Sequence, residues 1–322
     1  MIKVVAPGLF SLIQDEGRWG YQAHGMPVAG AMDRYASRTA NLLVGNLRSA
    51  ALLEITVLGG TFEFSGKCLA AVCGADMDPK LDGKEIPTWS SFPVRERSVL
   101  SFGYAASGCR AYLAVRGGFD VPSVLGSRST YNRARVGGLD GRALKEGDCL
   151  HFGTDSWLPV LPTVLPAKFV PRYERAYTLR VMLGPQDDMF TPEGVGTFLE
   201  SVYTVTNEAD RMGYRLEGPR IAHKGSADII SDALPKGAVQ VPAHGMPIVM
   251  MADRQTTGGY PKIATVIGPD LHLLAQACSR DTVRFKSCPD AEAIAALRCE
   301  ELRYLEIQRL MEELQSPAWT AC

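Results

Sequence analysis

The segment Asp253-Arg254-Gln255-Thr256-Thr257-Gly258-Gly259-Tyr260-Pro261 sets an acid, an amide, two hydroxyls and a phenol around a Gly-Gly step. Such side chains donate and accept hydrogen bonds, and paired glycines let backbone approach a ligand closely. Turn formation alone accounts for little of this density, so the segment reads as a binding loop. A second window, Asn207 to Arg215, places Asp210 between Glu208 and the guanidiniums of Arg211 and Arg215, beside Gly213. An acid there could hold or deprotonate an amide or urea nitrogen while an arginine fork takes a carboxylate. The competing reading is an Asx turn with a surface ion pair. A third window runs from Gly126-Ser127-Arg128 through Arg133, Arg135, Arg142 and Lys145, with only Asp140 and Glu146 to balance it. Guanidiniums over Gly-rich backbone suit phosphate or carboxylate, and a solvated basic loop competes equally.

The chain lacks a phosphate-binding loop of the Gly-x-x-x-x-Gly-Lys-Ser/Thr type, a Rossmann glycine signature, His-Glu-x-x-His and Gly-x-Ser-x-Gly. No metal site is read, because neither the histidines nor the cysteines show ligand spacing. His24 and His244 occupy equivalent places in an internal repeat: Ala23 to Arg34 aligns without gaps on Ala243 to Arg254, with seven of twelve positions identical. A repeat at this distance suggests two related half-structures whose loops meet across a cleft that includes Asp33 and Asp253. Histidines in such loops are more often turn residues than bases.

The elements that must position these loops are mostly strands. Apolar runs recur about every ten residues and are separated by Gly, Pro, Asp and Ser clusters, the pattern of an all-β sandwich or barrel. They include Leu52 to Leu58, Thr61 to Phe64, Arg110 to Val115, Leu179 to Leu183, Ala238 to Val241 and Ile263 to Ile267. Prolines at 159, 162, 166 and 171 mark a boundary that runs extended. The expected organisation is an N-terminal β domain over 1–165, a second β domain over 172–288 and a C-terminal helix over 289–322. Asp33 and Thr191 read as N-caps, with Pro192 at the first helical position, and Asp270 as the cap of a further helix ending near Cys278.

With 34 basic and 35 acidic residues the net charge is −1, and no global field favours nucleic acid or an anionic membrane. No apolar run approaches the roughly 20 residues needed to cross a bilayer. The N-terminus lacks a signal-peptide core, and eight cysteines without close pairing read as reduced, mostly buried thiols. The expected location is the cytoplasm.

Several further segments give a resemblance. Gln14-Asp15-Glu16-Gly17-Arg18, Gly30-Ala31-Met32-Asp33, Ala40-Asn41-Leu42-Leu43-Val44-Gly45-Asn46, Leu53-Glu54-Ile55-Thr56, Gly126-Ser127, Asp210-Arg211-Met212-Gly213, Val239-Gln240-Val241-Pro242 and Gln255 to Pro261 occur in this order. Together they resemble the biotin-dependent carboxyltransferase family, which includes the C subunit of 5-oxoprolinase, the carboxyltransferase part of urea carboxylase and allophanate hydrolase subunit 2-like proteins. The likeness spans residue 1 to about 288. His24 and His244 depart from it, since relatives commonly carry other polar residues there.

The resemblance implies a mainly β fold of two barrel-like domains, the second cyclophilin-like, with a few short helices and a long C-terminal helix. It implies the C subunit of an ATP-dependent 5-oxoprolinase, inactive alone and working with partners that resemble the A and B subunits of that enzyme. The lactam oxygen of 5-oxoproline would be phosphorylated, and water would then attack the ring carbon to give glutamate. ATP, with Mg, would be the cofactor, and biotin would not be covalently bound, since no Ala-Met-Lys-Met motif occurs. The alternatives are carboxyl transfer from carboxybiotin to urea or another amide nitrogen, and regulation of a histidine-kinase inhibitor by binding it. To the cleft that the repeat suggests between the halves, the resemblance adds the Asp210 turn and the Gln240 strand end. Asp210, Gln255, Thr257 and Tyr260 are then expected to hydrogen-bond the reacting amide, and Arg211, Gln240, Asp253, Gly258, Gly259, Asn41 and Arg128 to bind substrate.

Overall fold

In the computed structural model, residues 1–153 and 162–315 are described. The chain divides into two compact units, and the division is not a single cut. Unit 1 comprises 1–17, 33–172 and 301–322, and unit 2 comprises 18–32 and 173–300. The expected boundary near Pro159 falls partly outside the described residues, as do positions 316–322 of the expected C-terminal segment.

Unit 1 contains β1 (Ile2–Ala6), β2 (Phe10–Gln14), β3 (Leu52–Thr56), β4 (Thr61–Phe64), β5 (Cys68–Asp76), β6 (Lys80–Leu81), β7 (Lys84–Glu85), β8 (Ser90–Val94), β9 (Val99–Ser101), β10 (Ser107–Val115) and β11 (Cys149–Leu150). They form a six-stranded sheet ordered β11-β1-β4-β9-β6-β7 and a five-stranded sheet ordered β2-β3-β10-β5-β8. One apolar core draws on both, with Ile2, Phe62, Phe64 and Leu100 from the first and Leu53, Ile55, Val72 and Leu113 from the second. Where a barrel-like domain was expected, unit 1 is thus a pair of open sheets. Of the expected extended proline-rich segment, the described part runs extended around Val164 and Leu165, where the Leu165 N–H donates to the Trp89 carbonyl and Val164 bridges Ser90 beside the edge strand β8, but Ala167–Phe169 turns into a short 3-10 helix.

Helix α1 (Arg34–Leu43) begins as its sequence dictates: the Asp33 carboxylate accepts from the Ala36 N–H at 2.8 Å. At its other end Gly45, with φ of 74°, donates to the Leu42 carbonyl, the left-handed stop that glycine adopts cheaply. Asp33 is wholly buried, and so are its neighbours Tyr112 and Glu54. The Tyr112 hydroxyl accepts from the Asp33 N–H and donates to Glu54 Oε2, both at 2.8 Å. Burial, with the Glu54 and Asp33 carboxylates, pushes the Tyr112 phenol well above its ordinary pKa and keeps it a donor.

Unit 2 contains β12 (Ala176–Leu183), β13 (Tyr203–Val205), β14 (Gly213–Glu217), β15 (Asp232–Ala233), β16 (Ala238–Gln240), β17 (Ile248–Met250), β18 (Thr257–Gly258), β19 (Lys262–Val266) and β20 (Thr282–Ser287). Seven of these close a barrel in the order β12-β19-β16-β17-β14-β13-β20, and β15 pairs with β18. Alternation drives closure: β14 reads buried, buried, exposed, buried, exposed, and Tyr214, Leu216, Val239, Val249, Ile263 and Phe285 share one core. The mainly β class therefore holds, with complete closure in unit 2.

Helix α2 (Pro192–Glu200) is capped by Thr191, whose Oγ1 accepts from the Gly194 N–H at 3.0 Å. Helix α3 (Leu271–Gln276) is not capped by the Asp270 side chain as expected. Its carboxylate is taken instead by Arg180, with Nη2 at 2.6 Å, Nε at 3.0 Å and the backbone N–H at 2.8 Å, because a charged fork outcompetes an N–H at a short helix. Helix α4 (Asp290–Gln315) is the expected long helix. Tyr304 is buried in unit 1, 5.5 Å from the Tyr35 ring. The cysteines are less uniformly buried than expected, Cys149 and Cys299 being exposed. Among the described residues, no helix is long and apolar enough to cross a membrane.

The Asp33 cap generates a test. Asp33→Ala should lower stability by about 1 kcal/mol or more, and Asp33→Asn, which keeps a capping oxygen, should retain most of it. Thermal melting of both variants checks this; an Asp33→Ala protein that melts normally yet supports no activity would instead make Asp33 a chemical residue.

Candidate functional site

Two of the three polar windows of the sequence, 207–215 and 253–261, lie on the barrel of unit 2, and the third, from Gly126 to Lys145, lies in unit 1. Strand β14 pairs with β17 so that Gly213 faces Met250, and beyond the pairing the Met251 N–H donates to the Met212 carbonyl and the Asp253 N–H to the Arg211 carbonyl. This lacing sets Arg211 beside Asp253. The guanidinium donates from Nε to Oδ2 at 2.9 Å and from Nη2 to Oδ1 at 2.8 Å, and Nη2 also reaches the Gly30 carbonyl at 2.7 Å. Both side chains are more than nine-tenths buried.

Arg211 was expected to take an anionic group of the substrate. Its fork is instead engaged by Asp253, and it fastens the 18–32 segment to the barrel of the same unit. Lys236 adds a second tie, donating to the Met32 carbonyl at 3.1 Å. Asp210 accepts through Oδ1 from the Met212 and Gly213 N–H groups at 2.8 and 3.0 Å, the Asx turn that competed with the functional reading. Its side chain is nevertheless exposed.

The other predicted residues gather elsewhere on the barrel. Gln240 pairs with Ile248 and Lys262, whereas Met250, level with Gly213, lies on the Asp253 side, so the register separates the two groups toward opposite ends of these short strands. Gln240 Nε2 donates to the Tyr260 carbonyl at 3.1 Å, and a Cβ on Gly258 would stand 2.6 Å from that nitrogen. Glycine at 258 is therefore what lets the loop close over Gln240. Gln255, Thr257 and the Tyr260 ring are exposed, on the ribbon where Ala233 pairs with Thr257 and Asp232 with Gly258.

Here the structure adds residues that motif reading missed. Lys262 is 1% exposed, and its Nζ donates to Asp232 Oδ2 at 2.6 Å and to the Ala233 carbonyl at 3.1 Å. The available signal was a lysine opening the strand Lys262–Val266, whose other residues are uncharged.

The repeat is real as a turn. Gly25 and Gly245 have φ of 78° and 81° and donate to the carbonyls three residues back, Gln22 at 2.9 Å and Pro242 at 2.8 Å. Both turns lie in unit 2, so the two copies are not divided one to each unit. His244 accepts from the Met246 N–H through Nδ1 at 3.1 Å, as a turn residue. The aspartates at the ends of the repeat differ: Asp33 caps a helix and Asp253 pairs with Arg211.

Asn41 and Arg128 belong to unit 1. The Asn41 amide donates to the Ala50 carbonyl at 2.9 Å and accepts from Asn46 at 3.0 Å, and Asn46 accepts from the Gly117 N–H at 2.8 Å. Asn41 is buried and shapes a loop; it was expected to bind substrate. That loop lines a cavity of about 800 Å³ with Arg48, Gly117, Gly118, Arg128 and Gln308. The Arg128 guanidinium is oriented by Nε donating to the Val121 carbonyl at 2.9 Å. Among the described residues, no three His, Cys, Asp or Glu side chains converge as metal ligands.

Comparison with known proteins adds the family. Residues 24–287 match the model of the carboxyltransferase domain, subdomain A and B. The chain is 38% identical over 306 residues to the C subunit of 5-oxoprolinase from Escherichia coli, covering 95% of this chain and 97% of that one. It is 32% identical over 343 residues to urea amidolyase of Saccharomyces cerevisiae, covering 98% of this chain and 19% of that one. The crystal structure of K. lactis urea amidolyase superposes with a TM-score of 0.91 at 30% identity, covering 95% of this chain and 20% of that one.

The Arg211–Asp253 pair predicts a strong coupling. Asp253→Leu should cost about 3 to 5 kcal/mol, because it strands a buried cation. Arg211→Met combined with Asp253→Leu should cost much less than the two single changes added. Denaturant unfolding of the four proteins measures it, and additive losses would show that the two groups do not depend on each other.

Proposed function

Because the chain belongs to the carboxyltransferase-domain family, we propose that it is the C subunit of an ATP-dependent 5-oxoprolinase that opens 5-oxoproline to glutamate together with the A and B subunits. The near end-to-end match to the C subunit of a 5-oxoprolinase carries this reading. The exposed 255–260 loop supports it chemically, since a lactam offers one N–H donor and one carbonyl acceptor, and the loop presents an amide, a hydroxyl and a phenol side by side. Gln255, Thr257 and Tyr260 hydrogen-bond the ring, the backbone of Gly258 and Gly259 lets it approach, and Gln240 holds the loop from beneath through the Tyr260 carbonyl.

Asp210 keeps one carboxylate oxygen, Oδ2, outside its turn, on the Arg211 side of the barrel. Arg211 and Asp253 fix the backbone on which Asp210 and Gln255 stand. Arg128 is the group in unit 1 suited to a carboxylate. ATP supplies phosphorylation of the lactam oxygen and is handled, with its Mg, in the assembled enzyme, in the cytoplasm. A second reading, carboxyl transfer to urea or another amide nitrogen, is favoured by the similarity to urea amidolyase.

The reading is tested by mixing the chain with the A and B subunits. Glutamate release should need ATP, 5-oxoproline and all three proteins; full-rate release by the chain alone would overturn its assignment as one component of three, and urea-dependent carboxylation would select the second reading. Thr257→Val and Tyr260→Phe should each lower turnover by about 10²- to 10³-fold, the scale for losing a donor at a site of developing charge. Melting temperatures should be near normal. Loss of stability with turnover per folded molecule unchanged would make these hydroxyls structural.

A further inference from the structure

The Lys262–Asp232 pair is lopsided. The lysine side chain is 1% exposed and the aspartate side chain 50%. Burying an ammonium costs several kcal/mol unless hydrogen bonds and an opposite charge compensate, and here the compensating charge stands at the surface, where solvent weakens it. An ion pair serving stability alone gains little from this arrangement. What it does produce is a carboxylate held in one orientation.

Oδ2 of Asp232 accepts from the Lys262 ammonium at 2.6 Å and from Gln186 Nε2 at 3.3 Å, and Oδ1 accepts from the Ala233 N–H at 2.7 Å. Gln186 is itself fixed, its Oε1 accepting from the Lys262 N–H at 3.1 Å. A carboxylate has about four lone-pair sites, so three donors leave acceptor capacity on Oδ1, the oxygen away from the lysine. Across the ribbon Asp232 is paired with Gly258, so no cross-strand side chain covers it. One residue along, Thr257 is exposed, and Tyr260 follows on the same loop.

We propose that Asp232 is the acceptor for the substrate's amide N–H in unit 2, and that Lys262 is its positioning residue. The ligand class is a compound with an N–H beside a carbonyl, such as a lactam, urea or a primary amide, its N–H on Asp232 and its carbonyl on the Tyr260 hydroxyl. The proposal rests on the amide-substrate reading above and adds the acid that reading lacked at this loop. The charged group facing Asp232 is Lys262, the Gln186 amide and Ala233 N–H being neutral donors. Hydrogen bonding to Lys262, then to Ala233, holds the carboxyl below its usual range. Binding through the carboxylate is therefore present above that lowered pKa and lost as the pH falls through it.

The test measures binding of 5-oxoproline and, separately, of urea by calorimetry, to the chain alone and mixed with the A and B subunits. Asp232→Asn should weaken binding of whichever compound binds by about tenfold or more, the scale of losing a hydrogen bond to a charged group. Its half-exposed position should leave the melting temperature within a few degrees. Lys262→Met, if folded, should shift the acid-side loss of binding to higher pH, which a purely structural lysine would not do. Unchanged affinity in Asp232→Asn overturns the proposal, whether or not Lys262→Met folds, and so does failure of the unaltered protein to bind either compound in any mixture. Glutamate release by the unaltered complex is scored separately, so an enzyme that binds urea but does not open 5-oxoproline would refute the 5-oxoprolinase reading and leave the Asp232 proposal standing on its own affinity data.

Discussion

The buried contact among Arg211, Asp253 and the Gly30 carbonyl is the constraint on which the order of unit 2 rests. Three segments far apart in the chain meet at one guanidinium, and the planar fork admits few alternative arrangements. Once formed, it fixes where the Asp210 turn ends, where the 255–260 loop begins, and how the 18–32 segment attaches. Buried ion pairs add little net stability compared with apolar packing of the same volume. The gain here is register, because no other geometry satisfies a bidentate pair and a carbonyl together.

From that anchor the loop runs outside the barrel to a second polar cluster. Between the two, Arg254 donates to the Leu234 carbonyl at 2.8 Å and the Leu234 N–H donates to the Thr256 carbonyl at 3.0 Å. The loop is therefore held at its start, middle and end by hydrogen bonds while Gln255, Thr257 and Tyr260 face solvent. Such a division suits a binding loop, since groups that meet a ligand must be free of protein partners yet stand on backbone that does not move.

Unit 1 uses the same device for a structural end. Asp33, Tyr112 and Glu54 are buried, and their hydrogen bonds tie the first turn of α1 to β10 and β3. A partly satisfied network in a low-dielectric core is costly, so this chain of donors and acceptors also specifies which face of α1 lies on the sheet.

Much of the fold was legible in the sequence where local physics decides. Strand alternation marked Thr61–Phe64 to the residue, and caps at Asp33 and Thr191, with the glycine stop at 45, located two helices. The family, and hence the likeness to carboxyltransferase domains, was carried by motif order. Strands β2 and β8 were missed because buried polar residues such as Ser11, Gln14 and Ser90 interrupt the apolar pattern, and β14 because it follows a cluster of turn residues. Which polar side chains face a ligand was decided only by tertiary structure. Arg211, Arg128 and Arg180 look alike in sequence, yet one is sealed against Asp253, one lines a cavity and one draws Asp270 away from a cap. Lys262 reads as an ordinary charged residue until barrel closure buries its ammonium. The sequence supplies the ionisable groups, but whether each meets water, a partner or a ligand depends on contacts between residues tens to hundreds of positions apart.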